Sequence, residues 1–287
     1  MTVICQVCGS EVVRLYFIKR GYKIYSCARC GSAFVFPMPE NAGGVYNDKY
    51  FGNPDQNDGF GYTNYDKDKE AMREVFISHL ISLEKLVPPE RSIFDVGAAT
   101  GYFLDVASSR GWQTSGSEIS PSAASEAMAR GHKIFLGNLP DMANGDTFDV
   151  VTMWDVIEHL TNPQSYVDKI RKILKPGGIL AINTPDAGSL FAKVMGKRWH
   201  LYVPPEHLVY FTVRSLEAFL VKNGFTVLTI GKPTKKFSIA YIFKTLYVWQ
   251  GMYLWQWLSD FFSTPLWRNI KVPINLRDNV LMMAKKN

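Results

Sequence analysis

No stretch of 18 or more uncharged apolar residues occurs in this 287-residue sequence, so it offers no membrane-spanning helix. Nor does it open on an apolar h-region with a cleavage site behind it, and the expectation is a cytoplasmic chain. Internal repeats and low-complexity tracts are missing as well. Neither charge dominates: 32 Lys and Arg against 26 Asp and Glu leave a net +6, too weak a field to imply nucleic-acid binding. With 47% hydrophobic and 20% charged residues, the composition excludes a disordered chain.

Cysteine is scarce, with four residues and none after position 30, yet its placement is informative. Cys5 and Cys8 form one C-x-x-C and Cys27 and Cys30 a second, each followed by glycine (Gly9, Gly31). The glycines let the backbone turn tightly enough for amides to face thiolates. Two such turns close a tetrahedral sulfur site, the usual form of structural zinc. Paired disulfides or a redox pair are the competing uses. A cytosolic chain disfavours the first, and nothing thioredoxin-like surrounds either pair. Residues 1–36 therefore read as a zinc ribbon folded by its metal.

Pro37-Met38-Pro39 breaks the chain, and residues 37–67 form a connecting segment with too many aromatics (Tyr46, Tyr50, Phe51, Phe60, Tyr62, Tyr65) for a solvated tether. It is expected to pack over the active site. A helix follows over 68–86, with His79 on its apolar stripe as a packed residue and not a ligand. From Ser92 short β-branched runs alternate with helical stretches, which predicts a doubly wound α/β domain over 68–287. Strands are expected at 92–96, 113–117, 133–135, 148–153, 178–183, 226–231 and 279–284. Helices are expected at 101–110, 121–130, 163–174 and 214–223.

The run Ile93 to Gly101 is a strand entering a tight turn of small residues that opens a helix, where the backbone can approach a ligand closely. Glu118 ends the second strand, where a carboxylate can accept both hydroxyls of a ribose. Gly137-Asn138-Leu139 follows the third strand, and Asn138 could read an adenine edge. Asp155, Glu158 and His159 follow the fourth strand at the carboxyl rim, where open sheets bind ligands.

As an ordered set, DVGAATG (Asp95–Gly101), Glu118, Gly137-Asn138-Leu139, FDVVTMWDVIEHL (Phe148–Leu160) and Lys175–Gly178 resemble class I S-adenosylmethionine-dependent methyltransferases. That resemblance implies a Rossmann-like sheet of order 3-2-1-4-5-7-6 with strand seven antiparallel. It implies that Gly97, Ala98, Ala99 and Gly101 line the methionine end, that Asp95 orients the turn, and that Tyr102 and Phe103 face the same cleft. Glu118 would hold the ribose, Asn138 and Leu139 flank the adenine, and Trp154 lie beside the sulfonium. Ala99 stands where the family pattern has its middle glycine.

The second rim cluster is His200 with Pro204-Pro205-Glu206-His207-Leu208-Val209-Tyr210-Phe211-Thr212, the last an expected N-cap. Paired C-x-x-C motifs, E-H-L after strand four and a later E-H-L-x-Y-F-T are similar to the deoxysugar C-methyltransferases. The E-H-L after strand four is also similar to ubiquinone-pathway O-methyltransferases. These resemblances imply a hydroxylated small-molecule acceptor, a sugar, nucleotide sugar or glycan precursor, methylated on oxygen or carbon. His207 and His159 would be base and positioning residue, with Glu206 orienting His207. Pro204 stands where the sugar enzymes have a tyrosine. Metal assistance through Glu158 and His159 is a further option, since both are ligand types. An RNA base methyltransferase is the rival enzyme, disfavoured because the ribbon's Arg14, Lys19, Arg20, Lys23 and Arg29 form no dense stripe. A non-catalytic scaffold on a degenerate methyltransferase fold is the rival of another class, opposed by the intact Glu118.

Ten aromatics crowd residues 237–262, which charged and amide residues interrupt. This predicts a helical insertion, about 235–270, that serves as a lid over the acceptor pocket, with a dimer surface and a peripheral membrane contact as its other uses.

Overall fold

Tight turns build the N-terminal sheet. Strands β1 (Val13–Lys19) and β2 (Tyr22–Cys27) pair antiparallel about Arg20-Gly21, both at positive φ (52° and 81°), as a two-residue hairpin of this twist requires. Strand β3 (Ala33–Val35) adds antiparallel to β2. The computed structural model describes residues 2–39, 72–233 and 276–287, together with 235–240, 243, 247, 251–264, 267 and 271–274. The connecting segment at 37–67 therefore lies, beyond residue 39, outside the described residues, as do the first residues of the helix expected at 68–86.

Helix α1 (Arg73–Glu84) leads into alternating strands and helices: β4 (Ser92–Val96), α2 (Tyr102–Ser108), β5 (Gln113–Glu118), α3 (Pro121–Ala129), β6 (Lys133–Leu136), β7 (Phe148–Trp154), α4 (Pro163–Ile173) and β8 (Leu174–Pro185). After α5 (Leu190–Met195) and the short β9 (Val209–Tyr210) come α6 (Val213–Lys222), β10 (Phe225–Gly231), β11 (Lys235–Ser238), α7 (Tyr253–Phe262), β12 (Lys271–Ile274) and β13 (Asn279–Lys286). Local chemistry sets the helix starts. Ser120 caps α3 and Asn162 caps α4, each with proline at the first helical position. Thr212 and Ser215 form a reciprocal capping box on α6.

Seven strands assemble in the order β10-β13-β8-β7-β4-β5-β6. Numbered within this sheet the order is 6-7-5-4-1-2-3, and β13 runs antiparallel to both its neighbours, as expected. Strands β4 and β7 are buried along nearly their whole length because helices cover both faces. One element departs from expectation. Lys175-Pro176-Gly177-Gly178 lies within β8, bulging between the pairs Phe148↔Leu174 and Val150↔Ile179. Gly177 supplies the positive φ of 72°, and Lys175 reaches both oxygens of Asp149 at 2.9 Å.

The ribbon does not close on itself. Strand β3 pairs with β9 of the main domain, Ala33↔Tyr210 and Phe34↔Val209. Ile24, Phe34 and Val35 share one apolar cluster with Trp199, Leu208 and Phe211. The insertion also differs from an all-helical expectation, since β11 and β12 pair antiparallel at its base. On α7, Trp255 stacks on Phe243, whereas Tyr253 and Trp257 are 79% and 61% exposed. No helix among the described residues is long and apolar enough to cross a membrane.

Glu84 pins the end of α1 to the sheet. Its carboxylate receives Arg110 through Nε at 2.9 Å and a second nitrogen at 2.8 Å, and Arg91 at 3.0 Å. The Arg110 hydrogen bonds hold the Glu84 carboxyl below its usual range, against the opposing effect of burial. A lowered carboxyl stabilises the fold above its unfolded pKa, and that contribution is lost as pH falls through the folded value. Glu84→Gln is thus expected to cost about 1 kcal/mol at neutral pH, a figure set by partial solvent screening. In urea denaturation the difference between variant and wild type should shrink as pH drops below about 4.

Candidate active site

Strand β4 ends in a turn that only small residues can make. Gly97, Ala99 and Gly101 take φ of 73°, 50° and 87°, and the amides of Gly97 and Ala98 donate to the Ser117 carbonyl. At Gly101 a Cβ would lie 2.9 Å from the His132 ring and 3.1 Å from Ala127. Ala99 is the exception, a Cβ-bearing residue in the left-handed region, at a cost of about 1 kcal/mol. The carboxylate of Glu118 meets this turn. It accepts the Ala99 amide at 2.8 Å on Oε2 and the Ile119 and Ser120 amides at 2.9 Å on Oε1. Burial pushes this carboxyl up, and the same amides oppose the shift. A carboxylate offers about four acceptor positions, so about one is left for a ligand.

Asp95 is buried and accepts the Thr152 hydroxyl at 2.6 Å, which ties β4 to β7 beneath the turn. Asn138 is exposed at the cleft edge, held by Asp141 at 3.3 Å and by the Tyr166 hydroxyl at 3.2 Å, while Leu139 is buried beside it. Burial, then the Asp141 and Glu118 charges, raise the Tyr166 phenol to about 12. Tyr166 thus reaches from α4 toward Asn138 and Glu118, a contact that its helical spacing did not reveal. Gly116 was also missed. A Cβ there would lie 2.7 Å from the Asp95 carbonyl and 2.9 Å from the Ala98 methyl, so its bareness lets the turn sit down on β5.

Trp154 ends β7 with its ring stacked on His79 (5.2 Å, 15°) and edge-on to Phe103 (5.1 Å). His79 is buried, and burial lowers it to about 4, consistent with a packed neutral imidazole. Tyr102, partly buried, lies tilted against Phe76 at 6.4 Å on the same side. Asp155 follows at φ 56° and accepts the Asn183 amide at 2.6 Å.

Beyond Asp155 the two E-H motifs converge. The His159 and His207 rings lie 4.7 Å apart, edge to face at 74°. His159 Nδ1 is 2.8 Å from the Glu206 carbonyl and His207 Nδ1 is 2.9 Å from the Leu201 carbonyl. This corrects one expectation: His207 is oriented by Leu201, and Glu206 serves His159 through its backbone. The Glu206 carboxyl is raised by burial and lowered by Arg20 in the ribbon turn. Burial, then the neighbouring His159, push His207 down to about 3, and burial lowers His159. Glu158, also buried, accepts the Thr184 hydroxyl at 2.8 Å and sets Oε1 4.0 Å from His159 Nε2. His200 stands apart, 3.8 Å from Asp278.

In the ribbon, Cys5, Cys8, Cys27 and Cys30 are free thiols gathered within 4.8 Å of one another. Sulfur separations of 3.7 Å (Cys5–Cys30) and 3.6 Å (Cys8–Cys27) are far too long for disulfides. They match the edge of about 3.8 Å that a tetrahedron of 2.3 Å zinc–sulfur bonds has. The donor set therefore fits zinc.

A model of the methyltransferase domain matches residues 69–230, more than half of the chain. The chain belongs to the methyltransferase domain family. The domain's fold recurs in a SAM-dependent methyltransferase from Thermotoga maritima, at 19% identity and a TM-score of 0.52, over 78% of this chain and 94% of that one. It recurs too in the magnesium protoporphyrin IX methyltransferase of Synechocystis, at 15% identity and a TM-score of 0.50, over 80% and 90%. A ubiquinone biosynthesis O-methyltransferase of Cereibacter sphaeroides is 36% identical over 59 residues, 20% of this chain and 24% of that protein. The chain spans from 15% to 38% of the length of the first curated relatives it matches.

Gly116→Ala tests the methyltransferase turn directly. The added methyl is expected to destabilise the protein by about 1–3 kcal/mol, as overpacking does. It should also weaken S-adenosylhomocysteine binding, both read from thermal shifts with and without the ligand.

Proposed function

We propose that the protein methylates a hydroxylated small molecule, a sugar, nucleotide sugar or glycan precursor, using S-adenosylmethionine. One observation carries this reading: the small-residue turn and Glu118 are hydrogen-bonded together on the same sheet rim as the His159–His207 pair. S-adenosylmethionine, when bound, supplies an electrophilic methyl group on a sulfonium. Gly97, Ala98, Ala99 and Gly101 would admit its methionine end, Glu118 its ribose, and Asn138 and Leu139 its adenine, with Tyr102, Phe103 and Trp154 walling the cleft.

The protein must then hold an acceptor close to the methyl and see its proton removed. His207 and His159 are the groups for that task. Each is fixed by a carbonyl on Nδ1, which leaves Nε2 as the basic nitrogen of the neutral ring. We assign zinc to the four cysteines as a structural ion. The ribbon then holds β9, which immediately follows the His207 loop, in place.

The deciding test is calorimetric titration with S-adenosylhomocysteine, with Glu118→Ala alongside. Saturable binding is expected, weakened at least about tenfold in the variant by the loss of charge-assisted hydrogen bonds. No binding to the folded wild-type protein would overturn the reading and leave a scaffold. Cys27→Ser should release the zinc and lower the melting temperature, read by metal analysis and calorimetry.

A further inference from the structure

Glu158, His159 and His207 come from two separate motifs and offer one donor atom each, all within 4.8 Å of one another. We infer that these three side chains form a second metal centre, for a divalent first-row transition ion, distinct from the cysteine site. Two imidazoles and one carboxylate make a three-ligand set that leaves positions open for an exogenous oxygen.

The surroundings have the organisation such ligands need. Both rings are anchored on Nδ1 by backbone carbonyls, Glu206 for His159 and Leu201 for His207. This outer shell fixes the tautomer that directs Nε2 at an ion. Glu158 is anchored in the same way, since Thr184 takes Oε2 and Oε1 faces His159 Nε2. The three donor atoms lie within 4.8 Å of one another, so binding an ion requires them to draw together by about 1–2 Å.

The rings sit among acceptors. His159 meets the Glu206 and Asp155 carbonyls and, at 4.0 Å, the Glu158 carboxylate, while His207 meets Leu201. Such lone pairs suit a cation, and Glu158 is only 2% exposed. His159 keeps 13% of its side chain exposed, which leaves a path from the rim.

The role assigned to this ion rests on the methyltransferase reading; its binding does not. On that reading an acceptor hydroxyl would occupy an open position, its acidity raised by the cation and its proton released to water. With the ion bound the imidazoles hold it and the proton passes to water; in the ion-free protein they remain the groups placed to take it.

The test uses the full chain with its cysteine site loaded with zinc. Mn2+ binding is followed by electron paramagnetic resonance, with Co2+ binding followed optically. One further equivalent of either ion is expected, with nitrogen modulations from imidazole in the wild-type Mn2+ spectrum or the weak bands of a nitrogen–oxygen Co2+ site. His207→Ala and Glu158→Gln should each weaken it by about tenfold or more. No saturable second equivalent of either ion would overturn the proposal, and so would a bound ion without imidazole ligands. The wild-type spectra decide even if a variant fails to fold. S-adenosylhomocysteine titrated into the same samples separates the two readings. Ligand binding without a second ion sinks only the metal centre, and a second ion without ligand binding sinks only the methyltransferase assignment.

Discussion

Leu208 carries the hydrogen bonds on which the rim depends. Its carbonyl accepts the Val35 amide of the ribbon at 2.8 Å, and its own amide donates to the Glu158 carbonyl at 2.8 Å. Three segments remote in sequence are thereby laid side by side: the end of the cysteine ribbon, the second E-H motif and the first. Leu208 is fully buried, so neither bond has water as a substitute partner. The positions of Glu158, His159 and His207 are therefore backbone positions, set by a small ladder and not by the side chains themselves. A ribbon that might have been an appendage is part of the wall of the site.

Aromatic packing reinforces that ladder. Tyr202 meets Phe17 of β1 edge-on at 5.0 Å and Tyr210 of β9 at 4.6 Å. Tyr210 donates its hydroxyl to the His207 carbonyl at 2.8 Å. A ring in the ribbon, a ring in the loop and a ring in the closing strand thus fix the same turn of chain. Edge-to-face pairs of this kind contribute about 1 kcal/mol each beyond the area they bury.

Much of this architecture was legible because its signals are local. Alternating apolar runs, prolines at helix starts and glycines at positive φ are properties of a few consecutive residues, and the seven-stranded order follows once the motif series is recognised. The four cysteines were readable for the same reason. What stayed hidden was contact between distant segments. Nothing in the spacing of Ala33–Val35 announces a partner at 209–210. Thr184 and Leu201 act on Glu158 and His207 through one hydroxyl and one carbonyl, groups that almost any loop contains. Glu206 was misread for a related reason: its charge drew attention, whereas its backbone oxygen holds His159.

The two halves of the site are built on opposite principles. At the glycine turn the chain removes side chains, so that Gly97 makes room for Val156, Gly101 for His132 and Gly116 for the Asp95 carbonyl, and Glu118 gathers the amides of Ala99, Ile119 and Ser120. At the two E-H motifs it concentrates side chains, gathering two imidazoles and a carboxylate, of which His207 and Glu158 are buried. A tight, amide-lined turn suits a ligand that the backbone must approach closely. A desolvated cluster of lone pairs suits a cation or a proton in transit, because both bring the charge that the cluster lacks. The strand β7 joins these halves, Asp95 fastened to its Thr152 and Trp154 at its tip. It sets their separation with the stiffness of a buried parallel strand, which is the positioning that an in-line methyl transfer demands.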